Sequence, residues 1–161
     1  MRRGWLVALA LAGLVGSASC SSEPDAQKAL SVIDVVTGWL DKGIVDGQNK
    51  LVPTISLKIK NAADRPLSYL QLNAVFRIVD ETEELGSKVI WATQGSDLEP
   101  GQSAGPFNLS SDLGYSSVAP RTQMLQHTLF KDAKVELFVK QGSRQWARLG
   151  EYRIARQLFA K

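Results

Sequence analysis

Cysteine is all but missing from this 161-residue chain, with Cys20 the only one. One thiol cannot close an intramolecular disulfide, so the fold must rest on buried apolar surface. Histidine is equally scarce, with His127 alone. A single imidazole, without a second histidine or a usable thiol, supplies no zinc-ligand set and no paired general base. It reads as a surface residue. A Gly-x-Ser-x-Gly elbow and a phosphate-cradling glycine loop are also missing. Ser110-Ser111-Asp112 reads as turn chemistry. Asp80, Glu81, Glu83 and Glu84 lack the spacing and the glycine of a calcium loop, and read as a solvated segment. The expectation is a protein with no catalytic residues, no metal and no cofactor.

Strong net charge is lacking too. The formal charge is +3, and without Arg2 and Arg3 it falls to +1, which gives no electrostatic footprint for nucleic acid. The charge is uneven, however. Residues 20–120 carry 8 basic and 13 acidic side chains, and residues 121–161 carry 9 and 3. Outward positions of alternating strands account for this, with an anionic partner as the other reading.

What is present begins at the N-terminus. Arg2 and Arg3 form a positive segment, Trp5 to Val15 an apolar one, and Gly16 to Ser19 a string of small residues ending on Cys20. The apolar run is too short to span a bilayer and has the build of a secretory signal peptide. With cysteine at its end, the segment resembles the signals of bacterial lipoproteins. Ala18, Ser19 and Cys20 match three lipobox places, and Ser17 stands where leucine is usual. That resemblance implies cleavage before Cys20 and its acylation, with the lipid bilayer as a partner. Ser21, which is not aspartate, implies an outer-membrane address facing the periplasm. Ser17 and Ser19 also suit ordinary signal peptidase, which would leave a periplasmic or secreted protein with a free thiol. The expected division is a signal peptide over 1–19, a tether over 20–28 and one domain over 29–161.

The domain reads as β. Residues 30–40 are rich in Val, Ile and Trp, and Gly38 suggests a bulge; near-helical spacing of Ala29, Ile33, Val36 and Leu40 is the competing reading. Residues 54–60 alternate strictly, with Ile55, Leu57 and Ile59 on one face. Residues 61–66 carry turn chemistry. Residues 69–79 place Leu70, Leu72, Ala74, Phe76 and Ile78 together. After an acidic loop at 80–86, a strand is predicted over 88–93. A Pro100-Gly101 turn, a short strand around Phe107 and Leu109, and a loop over 114–119 follow. A helix is predicted from Pro120 or Arg121 to about Phe130. A hairpin of 134–140 and 146–154 turns at Gln141 to Arg144, with Gly150 a candidate bulge. Six or seven strands without βαβ alternation predict a mainly β chain, an antiparallel immunoglobulin-like sandwich with one short helix.

Phe76-Arg77-Ile78-Val79-Asp80 resembles the F-x-L-Y-D signature of FxLYD-type domains, small Ig-like modules of extracytoplasmic bacterial proteins. Ile78 stands for leucine and Val79 for tyrosine, and the resemblance spans about residues 50–110. It implies the sandwich and the envelope address, and carries no catalytic residue across. Trp39, Trp91, Trp146, Tyr69 and Tyr152 are expected mainly in the core. Trp146, between Arg144 and Arg148, is the best candidate for an exposed contact. The function read from these features is a membrane-anchored module that binds or scaffolds, with another envelope protein as partner. The alternative is a soluble module taking a small apolar or glycan ligand between its sheets.

Overall fold

A computed structural model describes residues 25–160; Cys20, the signal segment and most of the expected tether lie outside them. Asp25 opens the described chain by capping a single helical turn, α1 (Ala26–Ala29), its carboxylate accepting from the Gln27 N–H at 3.1 Å. Two long strands follow, β1 (Leu30–Val45) and β2 (Gln48–Asn61), joined by the pair Asp46-Gly47. Both turn residues have positive φ, 51° and 77°, the conformation that a two-residue hairpin needs to match strand twist.

The remaining strands are β3 (Leu70–Ile78), β4 (Glu84–Trp91), β5 (Ser103–Ser110), β6 (Tyr115–Ser117), β7 (Ala133–Gln141) and β8 (Ala147–Arg153), with a short helix α2 (Arg121–Gln126). They form two antiparallel sheets packed as a sandwich. In the first, β2 lies between β1 and β5, and its start also pairs β6; the second runs β4-β3-β7-β8. The mainly β sandwich expected from alternation is what the chain forms. Ile55, Leu57 and Ile59 of β2 face Leu70, Leu72, Ala74 and Phe76 of β3 and Val135, Leu137 and Val139 of β7, all buried.

Several local expectations need correction. Residues 30–40 are strand as expected, not the competing helix, but β1 runs on to Val45. Gly38 is not bulged: it pairs regularly with Thr54. The two bulges lie between Ile33 and Val36, where Asp34 has φ 52°, and between Asp41 and Ile44, where Gly43 has φ 81°. Gly38 instead clears space for the C-terminal tail. A Cβ there would stand 3.1 Å from the Gln157 carbonyl oxygen, while the Trp39 N–H donates to that oxygen and the Trp39 carbonyl accepts from Phe159 N–H, both at 2.8 Å. The acidic segment is partly strand, since β4 starts at Glu84. The loop at 114–119 contains β6. Helix α2 stops at Gln126 because His127 turns extended, with ψ 139°. The chain then delivers Phe130 to the core and leaves Leu129 in solvent. Gly150 flanks a true bulge, since Leu137 pairs Gly150 while Phe138 pairs Arg148.

Gly114 sets the approach of β6 to β2. A Cβ at this position would collide with the Leu51 carbonyl oxygen, and backbone cannot swing aside as a side chain can. Gly114→Ala is therefore expected to destabilise the domain by about 1–3 kcal/mol. Amide exchange at Tyr115 and Ser117 should accelerate more than at β3, and equal protection at both would refute the assignment.

Candidate binding surfaces

The connections define two ends. Loops 62–69, 92–102 and 142–146 gather beside α1, and the Gln27 side chain donates to the Arg148 carbonyl at 2.9 Å. The 46–47 turn, the 79–83 and 111–114 loops and the segment around α2 gather at the other end.

At the α1 end the cross-strand rows of the second sheet bring three aromatics to the strand termini. Trp91 closes β4 and pairs across to Gln71, Gln71 pairs Lys140, and Trp146 lies just before β8. Lys140 Nζ sits 5.8 Å from the Trp146 ring centroid, a cation–π arrangement. Tyr69 precedes β3. Its exposure is 70%, that of Trp91 48% and that of Trp146 37%, so these three do not fill the core as expected. Trp39 does, at 0%, and Tyr152 packs half-buried against the core. Burial pushes the Tyr152 hydroxyl above the ordinary tyrosine pKa.

Arg144, Trp146 and Arg148 are only partly brought together as a surface. Trp146 and Arg144 are exposed at the hairpin end, and Arg144 has contacts of its own. Arg148 is engaged within the sheet, its Nη2 lying 3.2 Å from Glu136 and 2.8 Å from Glu151. Glu136 also receives Arg77 Nε at 3.1 Å. Replacing Arg148 by glutamate would set three carboxylates together, so the Trp146 surface is better probed by Trp146→Ala alone. Tyr69, Val89 and Trp91 complete this face and were missed. The pairing of β3 with β4 sets Val89 across from Asn73 and Trp91 across from Gln71, and neither looks like more than an ordinary strand residue in the sequence.

The opposite end is aliphatic. Ile44, Val118 and Leu129 are 73%, 81% and 79% exposed, and Leu113 is also exposed. The strand row Ile44–Asn49–Ser117 joins the first two regions, and Asn49 Nδ2 donates to the Ala119 carbonyl at 2.9 Å. A shallow cleft of about 180 Å³ opens here, lined by Tyr115, Met124, His127, Leu129 and Phe130. Its floor is rigid: Tyr115 packs 4.5 Å from Phe130 between ring centroids, and its hydroxyl exchanges hydrogen bonds with the Lys131 backbone. Burial raises the Tyr115 pKa, partly opposed by the hydrogen bond from Lys131. His127 is exposed and its Nδ1 accepts from the Leu129 N–H at 3.2 Å, a turn-forming contact.

A third feature lies on the outer face of the first sheet. A groove of about 500 Å³ has Thr54, Ser56, Asn108 and Ser110 on its floor and Val36, Leu40 and Phe159 among its walls. Thr54 Oγ1 and Ser110 Oγ share a hydrogen bond of 2.9 Å. Among the described residues no cluster of three or more His, Cys, Asp or Glu could hold a metal ion, and no helix is long and apolar enough to cross a membrane.

No family model and no curated protein matches the chain. Two solved structures are similar in outline. One is the X-ray structure of a Northeast Structural Genomics Consortium target, 12% identical, with TM-score 0.44 over 81% of this chain and 89% of that one. The other is the crystal structure of a candidate ApaA protein from Bordetella pertussis, 15% identical, with TM-score 0.42 over 78% of this chain and 92% of that one. Both similarities are weak.

Proposed function

We propose that this chain is a bacterial cell-envelope lipoprotein, held to the bilayer through acylated Cys20, whose β-sandwich serves as a non-catalytic binding or scaffolding module. The observation that carries the binding role is the aliphatic end formed by Ile44, Leu113, Val118 and Leu129. Exposed aliphatic side chains gathered at one end of the domain in this way favour contact with a partner. It lies opposite α1, the end nearest the anchor, so a partner would dock on the side facing away from the outer membrane into the periplasm. A photo-reactive side chain at Leu129, in the full chain expressed in a bacterial envelope, is expected to give a discrete cross-linked adduct. The same group at Lys60 serves as the control. Adducts at neither position, or equally at both, refute a specific docking end. The anchor is tested separately, by intact mass of the N-terminal peptide: acylated Cys20 in the wild type and an uncleaved signal in Cys20→Ser.

The groove over Thr54, Ser56, Asn108 and Ser110 favours a second reading, a soluble envelope module that takes a small glycan. Hydroxyl and amide groups beside an aromatic wall are the chemistry such a ligand requires, and the groove's location differs from the space between sheets. Chemical-shift changes confined to these residues on adding oligosaccharide would support it.

A further inference from the structure

The α1 end carries a second exposed arrangement, aromatic where the opposite end is aliphatic. Three aromatic side chains, Tyr69, Trp91 and Trp146, stand exposed at strand termini on one rim. The same rim receives the incoming chain, since Gln27 is tied to the Arg148 carbonyl. Five residue steps separate Cys20 from Asp25, which at full extension reach at most about 18 Å. The headgroup layer of one leaflet is roughly 6 Å deep. An anchored Cys20 therefore keeps the α1 end, to which this rim belongs, close to the bilayer surface.

We infer that the Tyr69–Trp91–Trp146 rim rests in the headgroup layer of the membrane that anchors Cys20, as a second, reversible attachment that sets the domain's orientation. The inference rests on the lipoprotein reading proposed above. Trp and Tyr are the side chains that favour the interface between headgroups and hydrocarbon, with an apolar ring and a polar N–H or O–H. The rim's charges do not select an anionic surface: Lys28, Arg65, Lys140 and Arg144 are matched by Asp25, Asp64, Asp97 and Glu99. The attraction is aromatic, so a zwitterionic bilayer suffices. Lys140, 5.8 Å from the Trp146 ring centroid, adds a cation beside the aromatic rim. With the rim seated, the aliphatic end bearing Ile44, Val118 and Leu129 points away from the membrane.

The test uses the acylated mature chain reconstituted into phosphatidylcholine vesicles, with and without brominated acyl chains near the headgroups. Flotation and N-terminal mass establish attachment independently. Tryptophan emission is expected to fall at least twofold in brominated vesicles. In the Trp91→Phe, Trp146→Phe variant, the remaining emission from buried Trp39 should be unaffected. Phenylalanine keeps much of the ring volume, and circular dichroism confirms that the variant folds. A chain that floats, carries acyl mass and shows equal emission in both vesicle types overturns the inference while the anchor stands, and leaves the rim to a protein partner. A chain without acyl mass that does not float overturns the anchor reading and this inference with it.

Discussion

Trp39→Ala is expected to lower the unfolding free energy by about 4 kcal/mol, and Trp39→Phe by less than about 1.5 kcal/mol. Trp39 is fully buried and its ring meets Phe130 edge-on at 4.7 Å and Tyr115 at 5.5 Å between centroids. Alanine leaves a cavity at the junction of β1, β6 and the segment after α2, and forfeits both aromatic contacts. Phenylalanine keeps much of the volume. It also removes the indole Nε1–H, which is buried without a hydrogen-bond partner, a desolvated donor costing on the order of 1–3 kcal/mol. For a domain of this size the alanine variant should melt roughly 12–20 °C lower. The loss should also spread outward. The Trp39 backbone grips the tail through Gln157 and Phe159, so amide exchange at Phe159 should rise in Trp39→Ala and stay slow in Trp39→Phe. Equal melting temperatures for the two variants would show that the aromatic cluster contributes little.

How much of this was legible in the sequence differs between core and surface. Period-two alternation over 54–60, 69–79 and 134–140 located the buried faces of β2, β3 and β7, because a half-buried strand must alternate to keep its apolar side chains on one face. The Pro100-Gly101 turn was equally readable: Gly101 has φ 76° and the Gln102 N–H donates to Glu99 at 3.0 Å. The Asp46-Gly47 hairpin carried a strong local signal that was passed over, and with it went the full length of β1. Other features had no local signal. Gly38 looks like a bulge glycine, yet its role is to admit a tail about 120 residues away. Trp91 and Trp146 look like core aromatics; which face they occupy depends on pairing with β3 and β7. Helix α2 was overextended because Leu125 and Leu129 share a helical face, whereas the chain buries Phe130 instead. The candidate surface around Trp146 was half-visible. Its tryptophan was located, but the commitment of Arg148 to Glu136 and Glu151 is a property of the assembled sheet.

Asn61 gives the second large effect, and its aspartate variant one whose rank depends on pH. Asn61→Ala is expected to cost about 3 kcal/mol at every pH between about 4 and 8, since it strips partners from three buried or half-buried backbone groups. The side chain is fully buried. Its Nδ2 donates to the carbonyls of Arg65 and Leu98, both at 2.8 Å, and its Oδ1 accepts from Ala63 N–H at 2.9 Å. Its backbone ties the same place together, donating to Gln102 at 2.9 Å and accepting from Gly101 at 2.8 Å. One residue thus holds the 61–66 turn against the Pro100-Gly101 turn. Asn61→Asp preserves shape and the acceptor but turns both donors into acceptors facing carbonyl oxygens. An ionised carboxylate there is desolvated and repelled, which raises its pKa in the folded state above the unfolded value near 4. A raised folded pKa means that stability is retained below the unfolded pKa and lost as pH rises through the folded one. At about pH 4 the protonated carboxyl of the Asn61→Asp variant can still donate to one carbonyl, so this variant should be at least as stable as the alanine variant. At about pH 8 it should be the less stable of the two. Urea unfolding at the two pH values measures both. If the two stabilities keep the same order at both, the Arg65 and Leu98 carbonyls are not what this side chain holds.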